Sequence, residues 1–108
     1  LIATAIHLAL HALVPLAVAL IFFRQQWGRA WAIMLLTMLV DVDHLLAEPI
    51  FAANRCSIGF HPLHTYTAIT GYLLLSLWSV TRLVGIGLLI HMLLDASDCW
   101  RMAGFPLP

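Results

Sequence analysis

The chain has no lysine, and its 108 residues carry only five arginines and five acids, with no run of like charge. These absences exclude the basic patches that hold nucleic acid and the acidic arms of disordered partners. Segments of about ten residues alternating apolar with polar side chains are also missing, which argues against a membrane β-barrel. Cysteine is limited to Cys56 and Cys99, in no CxxC pair. Two are too few for a disulfide framework, so plain thiols are expected, with one disulfide forming if both face an oxidising compartment. What is abundant is apolar surface: 63% of residues are hydrophobic, 9% are charged and mean hydropathy is +0.99. An integral membrane protein of one domain is the class this composition supports.

Four apolar segments run over Ile2–Phe23, Ala30–Ala47, Tyr66–Thr81 and Leu83–Trp100. Their runs are continuous rather than alternating, so an all-α bundle of four transmembrane helices is predicted for residues 1–108. The first segment is long and carries two histidines with no small-residue cleavage signal after it, so it reads as a retained helix rather than a signal peptide. Arg24 to Arg29 form a short turn with Trp27 at headgroup level. Glu48 to His64 form the long loop, with Pro49, Asn54, Arg55, Gly59 and Pro62. Pro15 is expected to kink the first helix and turn His7 and His11 inward. Gly85 and Gly87 suggest close packing of the last helix, and Asp98 is spaced to pair with Arg101.

Against this background the six histidines are the informative residues. Each lies within four residues of another histidine or an aspartate, in His7-x3-His11, Asp41-x-Asp43-His44, His61-x2-His64 and His91-x3-Asp95. A charged Asp at a helix centre costs about 2.5–3.5 kcal/mol on insertion, so something must compensate these groups. Taken singly, each cluster has a structural reading: helix-helix hydrogen bonding, interfacial polar residues, or solvated loop histidines. Their joint placement favours more. In four antiparallel crossings, the start of the first helix, the end of the second, the start of the third and the end of the fourth meet at one face.

A metal centre follows from the residue types. His7 with His11, and His91 with Asp95, are four apart and share a helix face, and Asp41 and His44 are three apart. Imidazole and carboxylate are ligands for zinc, manganese or iron. His7, His11, Asp41, His44, His61, His64, His91 and Asp95 are the expected ligands of one or two divalent ions, zinc first. Asp43 or Glu48 is the expected proton acceptor. The expected reaction is hydrolysis of a lipid or lipid-linked ester or phosphoester by metal-activated water, with membrane lipids as partners and no nucleic acid. A small non-catalytic subunit of a larger membrane complex, held together by a structural metal or polar network, is the alternative. A haem protein would also use paired helical histidines, but the neighbouring carboxylates suit harder ions. Arg24, Arg29 and Arg82 oppose Arg55 and Arg101 across the membrane, so the positive-inside rule turns the site outward.

In motif order the chain resembles a bacterial family of small inner-membrane proteins described as membrane-bound metal-dependent hydrolases. The resemblance rests on His7 or His11, Asp41-Val42-Asp43-His44, His61 with His64, and His91-Met92-Leu93-Leu94-Asp95, and covers nearly the whole chain. It implies a multi-pass protein of the bacterial inner membrane and a hydrolase activity. The loop pair departs from the longer His-Arg-Gly-x-Thr-His-Ser stretch of better-known members. Here it is His61-Pro62-Leu63-His64-Thr65, without the arginine, although Arg55 is near in sequence.

Overall fold

The structure is a computed structural model that describes residues 2–48 and 55–103, so Pro49 and Asn54 of the expected loop lie outside the described residues. Helix α1 spans Ile2–Phe22, α2 Trp27–Leu36, α3 Tyr66–Leu77 and α4 Arg82–Met102, and the described residues contain no strand. The all-α expectation agrees with this. Two helices, α1 and α4, are long and apolar enough to cross a membrane; at 21 residues each they reach about 31 Å. Helix α3 is apolar but has 12 residues, about 18 Å.

The second segment differs most from its expected form. Trp27 opens α2 instead of lying in a turn, and from Thr37 to Leu46 the chain winds as a 3-10 helix of ten residues. Such runs rarely exceed four residues. The reason is visible in which residues it buries: Thr37, Val40 and Asp43, each three apart. Three residues per turn aligns these positions on one inward stripe, whereas an α-helix would swing Asp43 away from Thr37. The Thr37 hydroxyl donates to the Met34 carbonyl at the changeover.

Helix α4 is the central element, packed on α1, α2 and α3. Its glycines permit this. A methyl group on Gly85 would stand 2.5 Å from Ser76 N and 2.9 Å from the Leu75 carbonyl carbon of α3, and one on Gly87 would stand 3.0 Å from Met34 Cα. Because the Gly85 obstacle is backbone, Gly85→Ala is expected to force α3 and α4 apart and cost about 1–3 kcal/mol, read as a lower unfolding temperature in detergent. A variant as stable as the parent would contradict this packing. Thr81 Oγ1 donates to the Leu75 carbonyl, and Arg82 donates through Nε and Nη2 to the Ser76 and Leu77 carbonyls. These bonds satisfy the carbonyls at the end of α3, which no terminal glycine caps.

Burial is inverted relative to a water-soluble domain. The buried side chains comprise Ala19, Ala30, Met34, Val40, Leu88 and Met92, but also His11, Thr37, Asp43, His61, His64, His91 and Asp95, while Leu39, Leu46, Leu77, Trp78 and Leu93 are well exposed. A polar interior inside an apolar exterior suits a hydrocarbon surround.

The thiol expectation is overturned: Cys56 and Cys99 form a disulfide, with Cα atoms 5.0 Å apart. The loop and the end of α4 belong to the same end of the bundle, and that proximity could not be read from cysteine spacing.

Candidate metal centre

Each histidine reaches the interior by a local device. His7 and His11 lie edge to face along one side of α1, with ring centroids 4.4 Å apart. Pro15 sits buried inside the same unbroken helix and, lacking an N–H, gives the His11 carbonyl no helical donor. In the loop, Gly59 takes a positive φ of 80°, and its N–H donates to the His64 carbonyl at 3.0 Å. Pro62 then starts a 3-10 turn ending at His64. This tight fold puts His61 at 2% and His64 at 0% exposure, where sequence alone left both as candidates for solvated loop residues.

The deepest group joins three elements: Asp41 from the 3-10 segment, His64 from the loop, and His91 and Asp95 from α4. His64 Nε2 lies 3.3 Å from His91 Nε2, 3.2 Å from Asp41 Oδ1 and 3.0 Å from Asp95 Oδ2. His91 Nε2 lies 3.0 Å from Asp41 Oδ1 and 3.1 Å from Asp95 Oδ2. A tetrahedron of ligands about 2.0 Å from a zinc ion has edges of about 3.3 Å. These five ligand separations all fall close to that edge, and two imidazole nitrogens facing each other at this distance demand a shared cation or proton.

A second group shares the same carboxylate. Asp95 Oδ1 is 2.9 Å from His7 Nε2 and 3.3 Å from His11 Nε2. His11 Nε2 is buried without a hydrogen-bond partner, because its approach to Asp95 lacks hydrogen-bond geometry. Leaving such an atom unsatisfied costs about 1–3 kcal/mol, a cost that an ion held between it and Asp95 would remove. Asp95 therefore presents one oxygen to each group. A third group, Asp43, His44 and His61, adjoins them, with the His44 and His61 rings stacked at 3.9 Å.

In three of the rings the tautomer fits metal binding, while His91 Nδ1 is buried without a hydrogen-bond partner. His11 Nδ1–H donates to the His7 carbonyl at 2.8 Å and His44 Nδ1–H to the Asp41 carbonyl at 3.1 Å. His64 Nδ1–H donates to Asp43 Oδ2 at 2.9 Å, and the same oxygen accepts the Leu63 N–H. In each ring the proton on Nδ1 leaves the Nε2 lone pair for a ligand role, the arrangement of carboxylate-histidine-metal triads. Burial alone would lower the His64 pKa, but hydrogen bonds to Asp41, Asp95 and Asp43 outweigh it and push it up to about 10. The carboxylates thus call for positive charge at the spot where a divalent ion would supply it. His61 is moved the other way, first by burial and then by His44, which keeps it neutral.

A cavity of about 270 Å³ opens onto these groups, with His7, His11, Asp41, His44, His61 and Asp95 on its walls. Every sequence-predicted ligand thus falls in one of three adjoining groups. Asp43 lies behind His64 and His44, hydrogen-bonded to both. Glu48 is exposed at the end of the 3-10 segment and does not line this cavity. Arg55, Arg101, Thr4 and Ser57 do line it. Sequence put Arg55 and Arg101 on the site side of the membrane but gave none of the four a role in the site; the Asp98–Arg101 pair, expected from its spacing, closes at 2.9 Å.

Buried His and Asp groups able to hold a metal ion are thus a property of the fold. Comparison with curated proteins and with solved structures finds no match. One family does match, over residues 1–102. The chain, with its His and Asp motifs inside that span, belongs to the family of unknown function DUF6122.

Proposed function

We propose that this chain is a metal-dependent hydrolase of the bacterial inner membrane, acting on a lipid or lipid-linked ester or phosphoester. The observation that carries the reading is the division of labour at Asp95. Asp41, His64, His91 and Asp95 Oδ2 make a closed set of four, suited to a structural zinc ion. His7, His11 and Asp95 Oδ1 make a set of three beside the cavity, and three protein ligands with an open position characterise catalytic zinc. His7, His11 and Asp95 would hold the ion there, and it would supply Lewis acidity and a lowered pKa for water. The closed set would serve a purely structural subunit equally well; the open set is what favours catalysis.

His44 is the proton acceptor in this reading. It borders the cavity, and its Nδ1 lies 3.2 Å from Asp43 Oδ1, so Asp43 orients the ring. Asp43, expected from sequence as the acceptor, acts here through His44 and His64 as a positioning residue. Exposed Glu48 has no part. The 3-10 segment supports a third crossing beside α1 and α4, since α2 and its continuation together reach about 35 Å. The disulfide supports an outward site, because such bonds persist on the oxidising side of the membrane.

The test is turnover of p-nitrophenyl esters and phosphoesters by zinc-loaded protein in mild detergent, with His44→Gln as the diagnostic variant. The expected result is metal-dependent hydrolysis that falls by about 10²-fold or more in the variant while metal content is unchanged. Full activity in His44→Gln would remove its role. Absence of turnover on every ester by fully loaded protein would leave the structural reading.

A further inference from the structure

The cavity is also lined by residues outside the three ligand groups, taken together as its rim. Arg55 and Arg101 both border it, together with the hydroxyl residues Thr4 and Ser57. Both arginines are held in place. The Arg55 guanidinium lies 4.8 Å from the centroid of the Phe60 ring, a stacking that orients it without removing its charge. Arg101 donates Nε at 3.0 Å and Nη2 at 2.9 Å to one oxygen of Asp98, which leaves its Nη1 edge for a further acceptor. The Cys56–Cys99 bond lies between them in the chain, next to Arg55 and two residues before Arg101, and so ties the two rims together.

We infer that this rim is an anion subsite, and that the group it takes is a phosphate monoester dianion; this deepens the hydrolase reading and rests on it. Charge decides in favour of a dianion. Asp41, Asp43, Asp95 and Asp98 supply four negative charges, and two arginines with two divalent ions supply six positive ones, so the loaded site carries a surplus of two. Planar guanidinium forks match phosphate oxygens, and two arginines lining one cavity recognise this group better than a neutral ester carbonyl. Size sets how much of the substrate enters. Pockets that enclose a whole drug-sized ligand run to about 300–1,000 Å³, and this one, at about 270 Å³, takes a headgroup-sized end while the remainder stays outside. Two sources offer this chemistry, a lipid phosphate headgroup and a water-soluble phosphomonoester.

The experiment is calorimetric titration of inorganic phosphate into zinc-loaded protein in detergent, comparing the parent with the Arg55→Gln/Arg101→Gln double variant and measuring zinc in both. Each charged hydrogen bond lost is expected to cost about tenfold, so affinity should fall at least about tenfold with zinc content unchanged. Equal affinity in the two proteins, or no phosphate binding by loaded parent, overturns the anion subsite while leaving the hydrolase reading to its turnover test. A parent protein that takes up no zinc overturns both. Nanodiscs of phosphatidylcholine with and without phosphatidic acid separate the sources. Competition only by the phosphatidic acid discs supports a lipid headgroup, and phosphate binding unaffected by either disc supports a soluble phosphomonoester.

Discussion

Replacing Asp95 by Asn is expected to empty both ion sites at once, the largest effect of any single substitution in this chain. Asp95 Oδ1 faces His7 and His11, and Oδ2 faces His64 and His91. No other carboxylate among the described residues is a candidate ligand in two of the three groups. Asn keeps the volume, so packing is preserved, but it removes the negative charge. Four-ligand zinc sites bind with about 10–16 kcal/mol, or roughly 2.5–4 kcal/mol per ligand, so losing a shared ligand costs each ion about two to three orders of magnitude in affinity. The stated measurement is zinc per chain together with the zinc dissociation constant. A variant that retains parental zinc would show that Asp95 is a hydrogen-bonding residue and no ligand. Asp41→Asn is the control, since it touches only the closed set and should spare the His7 and His11 ion.

Breaking the Cys56–Cys99 disulfide has the second largest expected effect, and it acts on stability and on the cavity rim rather than on the metal floor. The bond closes a sequence separation of 43 residues, for which chain entropy corresponds to about 4 kcal/mol. A chain whose helices stay inserted is already constrained, so about 2–4 kcal/mol is expected for the Cys56→Ser/Cys99→Ser variant. Its unfolding temperature should drop, and phosphate affinity should drop with it as Arg55 and Arg101 separate, while zinc content stays at the parental level. An impermeant maleimide applied to intact cells reports the side of the membrane. Labelling only after reduction, and from outside, is the expected result. Labelling of unreduced protein would contradict the bond, and no labelling of intact cells even after reduction would contradict the outward site.

The site was far more legible in the sequence than the backbone that builds it. His7 with His11 and His91 with Asp95 could be placed on common helix faces because a spacing of four is a property of any α-helix. Antiparallel order then brought those turns to the same end. The 3-10 winding from Thr37 to Leu46 was hidden, since a continuous apolar run reads as an α-helix and only the period of burial at Thr37, Val40 and Asp43 distinguishes three residues per turn. That winding decides which acid faces inward, so the role of Asp43 could not be separated from that of Glu48. His61 and His64 looked like solvated loop residues because their burial depends on the positive φ at Gly59 and on partners 20 or more residues away. The disulfide was illegible for the same reason: it depends on tertiary proximity, and cysteine spacing carries none of it.

Elemental analysis of the parent protein, purified without chelator in mild detergent and offered zinc, manganese and iron, tests the metal centre most directly. Two equivalents of zinc per chain are expected, one held by Asp41, His64, His91 and Asp95 and one by His7, His11 and Asp95. A protein that remains free of all three metals after reconstitution, yet folds as stably as before, would contradict the metal centre and leave a buried network of hydrogen-bonded histidines and aspartates in its place.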